Sequence, residues 1–246
     1  MSGHSHWATI KHKKGATDAK RGKLWSKLSR AIIIAARHGG GDPEMNLKLR
    51  YAIDKARQVS MPKDNIERAV RRGTGDMEGV TFEELSYEGY GPGGVALLVD
   101  CVTDNRNRTA GEIRKIFERT GGKLGSAGAV KHFFHRKGYF AISAEGLDED
   151  RVMTVALEAN AEDVKQRGGN YEITTDPAHF NQVQDALTKA GLTAVVSEIT
   201  QMADIPVEID LETAKKVYRL MDTLDDHDDV QHVYVNTNLP EEAAAD

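Results

Sequence analysis

Cysteine and long hydrophobic runs are scarce in this sequence of 246 residues. The single cysteine, Cys101, cannot form an internal disulfide or a cysteine-based zinc cage, which suits a reducing compartment. The longest purely apolar run covers residues 31–36, whereas a membrane span needs about 20 residues. The first residues are positively charged but lack the apolar segment of a secretory signal. We therefore expect a cytoplasmic protein with no membrane partner.

Charge of both signs is plentiful but unevenly placed. The formal net charge is -5, yet residues 1–75 contain 17 Lys or Arg and only 6 Asp or Glu. Residues 141–246 contain 7 basic and 23 acidic residues. This asymmetry predicts a basic face for a polyanion beside an acidic remainder that a polyanion repels. The alternative is that the two regions pair with each other, within one chain or between copies.

The N-terminal third has the pattern of a basic arm followed by helices. Residues 1–16 show no hydrophobic periodicity and are expected to be flexible. Helical spacing and Gly or Pro breaks predict one helix from Thr17 or Asp18 to His38, a second directly after Asp42-Pro43, and a third from Pro62 to Gly73. Three helices with short connections predict a helical domain over residues 17–75.

Beyond residue 75 the spacing alternates as in strands. Strands are predicted at 85–90, 93–102 and 130–135, with a helix over 107–122. Residues 138–200 then follow the order βαββαβ of a ferredoxin-like unit. The tail predicts a strand at 206–210, a helix at 211–224 and a last strand at 230–236. We expect an α+β fold in which residues 76–135 and 204–240 share one domain and residues 136–203 are a ferredoxin-like insertion.

The basic leader carries the strongest candidates for nucleic-acid binding. Lysine and arginine neutralise phosphates, and an aromatic ring can stack on an exposed base. The candidates are Trp7, Lys11, His12, Lys13, Lys14, Lys20, Arg21, Lys23, Lys27 and Arg30. The alternative for positions 20–30 is an ordinary solvated face of a helix.

A second candidate is the segment DNRNRT, which precedes a predicted helix. Arg106 and Arg108 stand near a helix N-terminus, where free N–H groups and the helix dipole favour an anion. They could form a phosphate site, or they could pair with Asp100, Asp104 or Glu112.

Other motifs favour no cofactor, metal or catalytic site. The glycines of GYGPGG at 89–94 are followed by a strand, whereas a dinucleotide motif needs a helix there. His4, His6 and His12 have no further ligands at zinc-site spacing. The acidic run DTLDDHDDV at 222–230 lacks the glycine and final glutamate of a calcium loop, so we expect a solvated helix end. No Ser/His/Asp or Cys/His set is discernible. We expect a protein that is not an enzyme.

Several segments resemble one known family. They are GHSHWATIKHKK, DAKRGKLWSKLSR, GGGDPEMNLKLRYAIDKAR, MPKDNIERAVRRGTG, YEGYGPGG, DNRNRT and GGKLGSAGAV, and together they are similar to the YebC/PmpR family. Bacterial members of that family are named probable transcriptional regulators, and a mitochondrial relative is a translational activator of a cytochrome oxidase subunit. The resemblance implies a helical domain followed by two α+β domains, the last inserted in the second, and a nucleic-acid-associated regulator in the cytoplasm with no known enzymatic activity.

Two functions follow as hypotheses. One is a DNA-binding transcriptional regulator whose residues 1–75 contact phosphates. The sequence shows no helix-turn-helix frame with side chains placed for base edges, so modest or shape-based specificity is expected. The other is a translation factor that uses the same lysines to bind ribosomal RNA.

Overall fold

A computed structural model of the chain describes residues 18–167 and 169–244. The α-helices in this part are α1 (Asp18–Gly39), α2 (Leu47–Gln58), α3 (Lys63–Thr74), α4 (Arg106–Arg119), α5 (Glu149–Glu158), α6 (Phe180–Lys189) and α7 (Leu211–Asp225). The strands are β1 (Glu83–Tyr90), β2 (Ala96–Thr103), β3 (Lys123–Leu124), β4 (Phe134–Ser143), β5 (Ala161–Arg167), β6 (Asn170–Thr175), β7 (Ala194–Ala203) and β8 (Val230–Val235). None of the helices described is long and apolar enough to cross a membrane.

Helices α1, α2 and α3 enclose one hydrophobic core. Ile32 of α1, Leu49 of α2 and Ile66 of α3 are buried in it. A Cβ at Gly73 would lie 2.5 Å from the main-chain oxygen of Ile33, so only glycine lets α3 pack this close to α1. The expected three-helix unit is therefore present at the N-terminal side of the described chain.

Helix α2 begins later than the sequence predicts. We expected it to start directly after Pro43, but residues 43–45 form a turn and α2 starts at Leu47. The reason is Asn46, whose side-chain oxygen accepts from the Leu49 N–H at 3.1 Å and caps the helix. Its amide nitrogen also donates to the main-chain oxygen of Ala35 at 2.8 Å, which fixes the cap against α1.

The first sheet combines segments that are far apart in the sequence. Its strand order is β3-β1-β2-β8, and every neighbouring pair is antiparallel. Helices α4 and α7 bury their apolar sides on it, with Ile113, Phe117 and Leu220 fully buried. Because β8 pairs with β2, the C-terminal strand completes the sheet that β1 and β2 begin.

The second sheet is built from the chain between these two parts. Its order is β5-β6-β4-β7 and all its pairs are antiparallel. Helices α5 and α6 pack on one face, around Phe140, Ile173 and Phe180. This is the order of a ferredoxin-like sheet, so the predicted α+β fold class is confirmed. The domain limits at residues 16, 75, 135 and 203 stay a prediction.

Two of the predicted strands are wrong. Residues 131–133 form a single 3₁₀ turn, because the Lys131 N–H donates to the side chain of Glu88 and the Phe133 N–H to the main chain of Val130. The strand β4 starts only at Phe134 and continues to Ser143, so it includes the first strand of the predicted βαββαβ unit. Residues 206–210 make only a single bridge, between Val207 and Thr237, since Asp210 already caps α7.

Candidate nucleic-acid interface

The predicted basic residues divide into those inside and those outside the described part of the chain. Five of them lie outside it: Trp7, Lys11, His12, Lys13 and Lys14. Lys20 and Arg21 lie on α1, but their side chains are also outside the description. The described candidates are therefore the remaining cations of α1 and the pair before α4.

The lysines of α1 lie against the C-terminal end of α7. The chain there is strongly acidic, and we call residues 225–229 the acidic turn. Lys23 Nζ donates to the main-chain oxygen of Asp226 at 3.1 Å, and Lys27 donates to that of Asp225. Free carbonyl groups and the helix dipole make the end of α7 a favourable place for cations. Part of the basic face predicted for a polyanion is thus in contact with the protein's own acidic region.

Arg30 continues this row one turn further along α1. Its guanidinium donates to the main-chain oxygen of Asp228 and to Oδ1 of Asp229 at 2.9 Å. It also lies 5.6 Å from the centre of the Phe82 ring, close enough for a cation–π contact. Arg30 joins α1 to the acidic turn and to the segment that leads into β1.

The carboxylate of Asp229 is the centre of a buried polar cluster. Its side chain is only 2% exposed, and Arg108, Thr103 and Thr109 converge on Oδ2 at 2.9, 3.1 and 2.7 Å. Burial raises the pKa of Asp229, but hydrogen bonds from Thr109, Arg108 and Thr103 and the charge of Arg30 outweigh it and hold that pKa below its usual value. Two arginines and two hydroxyls around one anion resemble a phosphate site, and here the anion is internal.

The two arginines of DNRNRT therefore have different surroundings. Arg108 donates to Oδ1 of Asp104 at 2.9 Å as well as to Asp229, so the pairing with Asp104 considered above is present. Arg106 is exposed and, within the described residues, forms no ion pair. The segment presents one cation to solvent at the start of α4 and uses the other to hold the fold.

The acidic turn is not the solvated helix end that we expected. Asp229 is buried, and the His227 ring bonds Oε2 of Glu112 at 2.8 Å while its other nitrogen accepts from the Asp229 N–H. The turn instead connects α1, α4 and β2. Sequence reasoning missed this because its partners are distant in the chain: Arg108 lies 121 residues away and Arg30 lies 199 residues away.

Helix α3 carries a basic face that the sequence reasoning did not single out. Arg68, Arg71 and Arg72 lie opposite the buried Ile66 and Ala69. All three arginines are exposed, and none forms an ion pair with a described residue. The signal was present as the spacing i, i+3, i+4 of these arginines on a strongly amphipathic helix.

The same helix also bears two carboxylates, which limit its positive charge. Asp64 and Glu67 lie in its first half, and Glu67 pairs with Lys63 at 3.4 Å. The cationic end of α3 is therefore its C-terminal half. No group of three or more His, Cys, Asp or Glu side chains in residues 18–167 and 169–244 is placed to hold a metal ion.

The chain is similar to known proteins over nearly its whole length. A family model described as the TACO1/YebC protein N-terminal domain matches residues 5–76, and one described as the TACO1/YebC second and third domain matches residues 82–237. A probable transcriptional regulatory protein of Rhodopirellula baltica is 51% identical, with 100% of both chains covered. One of Geobacter sulfurreducens is 52% identical, with 98% of both chains covered. A crystal structure of a conserved hypothetical protein from Aquifex aeolicus is 47% identical, has a TM-score of 0.84, and covers 96% of this chain and 98% of its own.

Proposed function

Because the chain belongs to the TACO1/YebC family, we propose that it is a regulator of gene expression. Specifically, we propose a DNA-binding transcriptional regulator that binds phosphates with its basic N-terminal region. The relatives above are named probable transcriptional regulatory proteins, which supports a regulatory and non-enzymatic role. Its place of action is the cytoplasm, where nucleic acid is accessible in bacteria.

The observation that carries this proposal is the positive charge left open after the internal pairs are made. Lys23, Lys27, Arg30 and Arg108 are engaged by the chain's own acidic turn. The cationic half of α3 remains exposed, and the lysines of residues 11–14 add to the same N-terminal region. Contacts of this kind bind the phosphate backbone and supply little base specificity.

A translation factor that binds ribosomal RNA is the second candidate. Arginines that contact phosphates do not distinguish DNA from RNA. The acidic balance of residues 141–246 favours this candidate, because an acidic surface can contact the basic proteins of a ribosome while the N-terminal region contacts RNA.

Crosslinking in living cells, followed by sequencing of the bound nucleic acid, separates the two candidates. Recovery of promoter DNA supports transcriptional regulation. Recovery of ribosomal RNA, together with sedimentation of the protein with ribosomes, supports the translation factor. Recovery of neither above the background of an unrelated acidic protein contradicts both.

A salt titration in vitro tests the binding surface itself. Changing Arg68, Arg71 and Arg72 to Glu should weaken binding to nucleic acid and flatten the slope of log K against log salt by roughly 3 charge units, because up to three phosphate contacts are lost. Changing Lys11, Lys13 and Lys14 to Glu should do the same. The matched control carries Glu at Lys165, Lys189 and Lys216, cations outside the N-terminal region. A slope that changes no more in the first two variants than in the control removes these residues from the interface.

A further inference from the structure

The loop between β3 and β4 is held in place by a buried carboxylate. Glu88 of β1 is only 6% exposed, and its side chain accepts from the main-chain N–H groups of Gly128, Val130 and Lys131 at 2.7, 2.7 and 2.8 Å. Its main-chain oxygen also accepts from the Gly125 N–H at 2.7 Å. One residue thereby fixes both ends of the segment 125–131.

Glycines let this loop lie close against the sheet. A Cβ at Gly89 would lie 2.6 Å from the Phe117 ring, and one at Gly122 would lie 2.8 Å from the main-chain oxygen of Tyr90. The hydroxyl of Tyr90 donates to the main-chain oxygen of Ala129 at 3.0 Å. The glycine-rich motifs YEGYGPGG and GGKLGSAGAV, which carry no nucleotide signature, therefore meet here and shape one rigid rim.

The outer side of the rim faces solvent although its inner side is fixed. Ser126, Ala127 and Gly128 are exposed. A buried charge is costly unless it is fully hydrogen-bonded, and here its hydrogen bonds order a loop whose residues 126–128 are exposed among the described residues. Loops fixed in this way on a rigid scaffold are typical of binding surfaces.

Three exposed cations belong to this rim or border it in the chain. Arg119 ends α4, Lys123 lies directly opposite Tyr90 in the β1–β3 register, and Lys131 follows the loop. All three side chains are exposed, and within the described residues none forms an ion pair. Arg119 and Lys123 thus place positive charge at the β3 edge of the first sheet, and Lys131 extends it towards β2 and β8, on which its neighbours Val130 and Phe134 pack. The α1 cations instead contact the acidic turn, which precedes β8.

The rim also exposes aromatic rings. The side chains of Tyr90 and Phe133 are 38% and 37% exposed, enough to leave part of each ring open to solvent. The His132 ring lies against that of Phe133, with centroids 4.0 Å apart. Exposed rings interleaved with cations are the chemistry that binds unpaired nucleotides, in which phosphates meet the cations and bases stack on the rings. A duplex keeps its bases stacked inside and offers nothing to these rings.

We propose that this rim, formed by Tyr90, Arg119, Lys123 and residues 125–133, binds single-stranded nucleic acid. The cations take the phosphates, and Phe133 with His132 stacks on an unpaired base. The proposal rests on the proposed function, because both require nucleic acid, but it assigns a separate surface and a preference for unpaired strands of RNA or DNA.

Binding of the full chain to fluorescent oligo-uridine, oligo-thymidine and a duplex of mixed sequence tests this surface. Phe133→Leu keeps the apolar bulk but removes the ring face, and it should weaken binding of the single strands roughly 5-fold or more while leaving the duplex unchanged. Lys123→Glu with Lys131→Glu should weaken single-strand binding and flatten its salt slope. The matched control is Lys189→Glu with Lys216→Glu. A cooperative thermal unfolding transition in each variant, at a temperature close to that of the parent, establishes that the variant folds.

Photocrosslinking with 5-iodouridine in the oligonucleotide locates the contact. We expect crosslinked peptides that contain His132 and Phe133 with single strands and not with the duplex. Crosslinks confined to residues 1–75, with Phe133→Leu as tight as the parent, overturn the rim proposal and leave the proposed function standing. If the parent protein binds none of the three probes, both the rim proposal and the proposed function are overturned. Equal loss for single strand and duplex in Phe133→Leu contradicts the preference for unpaired bases.

Discussion

Two buried carboxylates, Glu88 and Asp229, hold segments of this protein that would otherwise be independent. Glu88 binds three main-chain N–H groups of the loop before β4, and Asp229 binds two arginines and two threonine hydroxyls. Charge-assisted hydrogen bonds of this kind are stronger than neutral ones. Removing either carboxylate leaves buried donors without an acceptor, which costs more than the loss of an exposed ion pair.

Glu88→Gln tests the first of these carboxylates. The amide retains one oxygen for three donors, so the free energy of unfolding should fall by about 1–3 kcal/mol. Urea denaturation followed by circular dichroism measures this change. The exposed Glu84 of the same strand provides the control, Glu84→Gln, which should change stability by less than about 0.5 kcal/mol. Equal stability of the two variants would contradict the role given to Glu88.

The Glu88 carboxylate should also make the stability of the parent depend on pH in a way that Glu88→Gln does not. Burial raises the pKa of Glu88, but the three N–H groups and the charge of Lys131 lower it by more than burial raises it. The pKa of Glu88 therefore lies below its usual value. A lowered pKa contributes stability above the unfolded-state value of about 4.3, and that contribution is lost as pH falls through the folded-state pKa. Between pH 7 and pH 3 the parent should therefore lose more stability than Glu88→Gln. An identical loss would mean that Glu88 does not contribute to acid unfolding.

Helix α1 packs in the hydrophobic core with one side and places cations against the acidic turn with another. Its apolar side packs on α2 and α3, while Lys23, Lys27 and Arg30 reach the acidic turn at the end of α7. Main-chain oxygens and carboxylates occupy the positions that phosphates would take on this row of cations. The acidic turn is therefore expected to compete with a polyanion for α1.

Changing Asp225, Asp226 and Asp228 to Asn tests this competition while keeping Asp229. With fewer negative charges beside α1, binding of nucleic acid should tighten several-fold at low salt and converge with the parent at high salt. A control with Gln at Glu145, Glu149 and Glu158 has the same change in net charge on exposed positions elsewhere. Equal tightening in both variants would show a general charge effect and contradict competition at α1.

At the scale of the whole molecule, the ion pair of Arg30 with Asp229 joins the first and last parts of the chain. Arg30 and Asp229 are 199 positions apart, and their contact connects the helical unit to the first sheet. The charge asymmetry of the sequence is thus partly neutralised inside the protein, and the basic surface left open is smaller than the sequence alone suggests.

A double-mutant cycle measures this connection. Arg30→Met, Asp229→Asn and the double variant should give a coupling energy of about 1–3 kcal/mol in urea denaturation, because the pair is largely shielded from water. The exposed pair of Lys63 and Glu67 is the control and should give roughly 0.3–0.5 kcal/mol. Coupling no larger than that of the control would mean that the helical unit is held by other contacts.

Local patterns in the sequence were sufficient to predict most elements. The alternation over 85–102 predicts β1 and β2, and the order βαββαβ predicts the second sheet. Prediction failed where a contact with a residue outside the element sets where that element begins. Residues 131–133 do not form a strand because Glu88 accepts from the N–H of Lys131. Helix α2 starts late because Asn46 caps it, and the bond from Asn46 to Ala35 fixes that cap against α1. The site candidates of the arm and of α1 stay predictions.

The sequence by itself determined the fold class, the basic N-terminal third and the resemblance to one family, because hydrophobic spacing and charge are properties of neighbouring residues. Only the tertiary structure decided which cations remain open. It places the acidic turn on α1, leaves the arginines of α3 exposed, and brings two glycine motifs together under a loop fixed by Glu88. Which charges neutralise each other depends on distances in space, and folding sets those distances between residues that are remote in the chain.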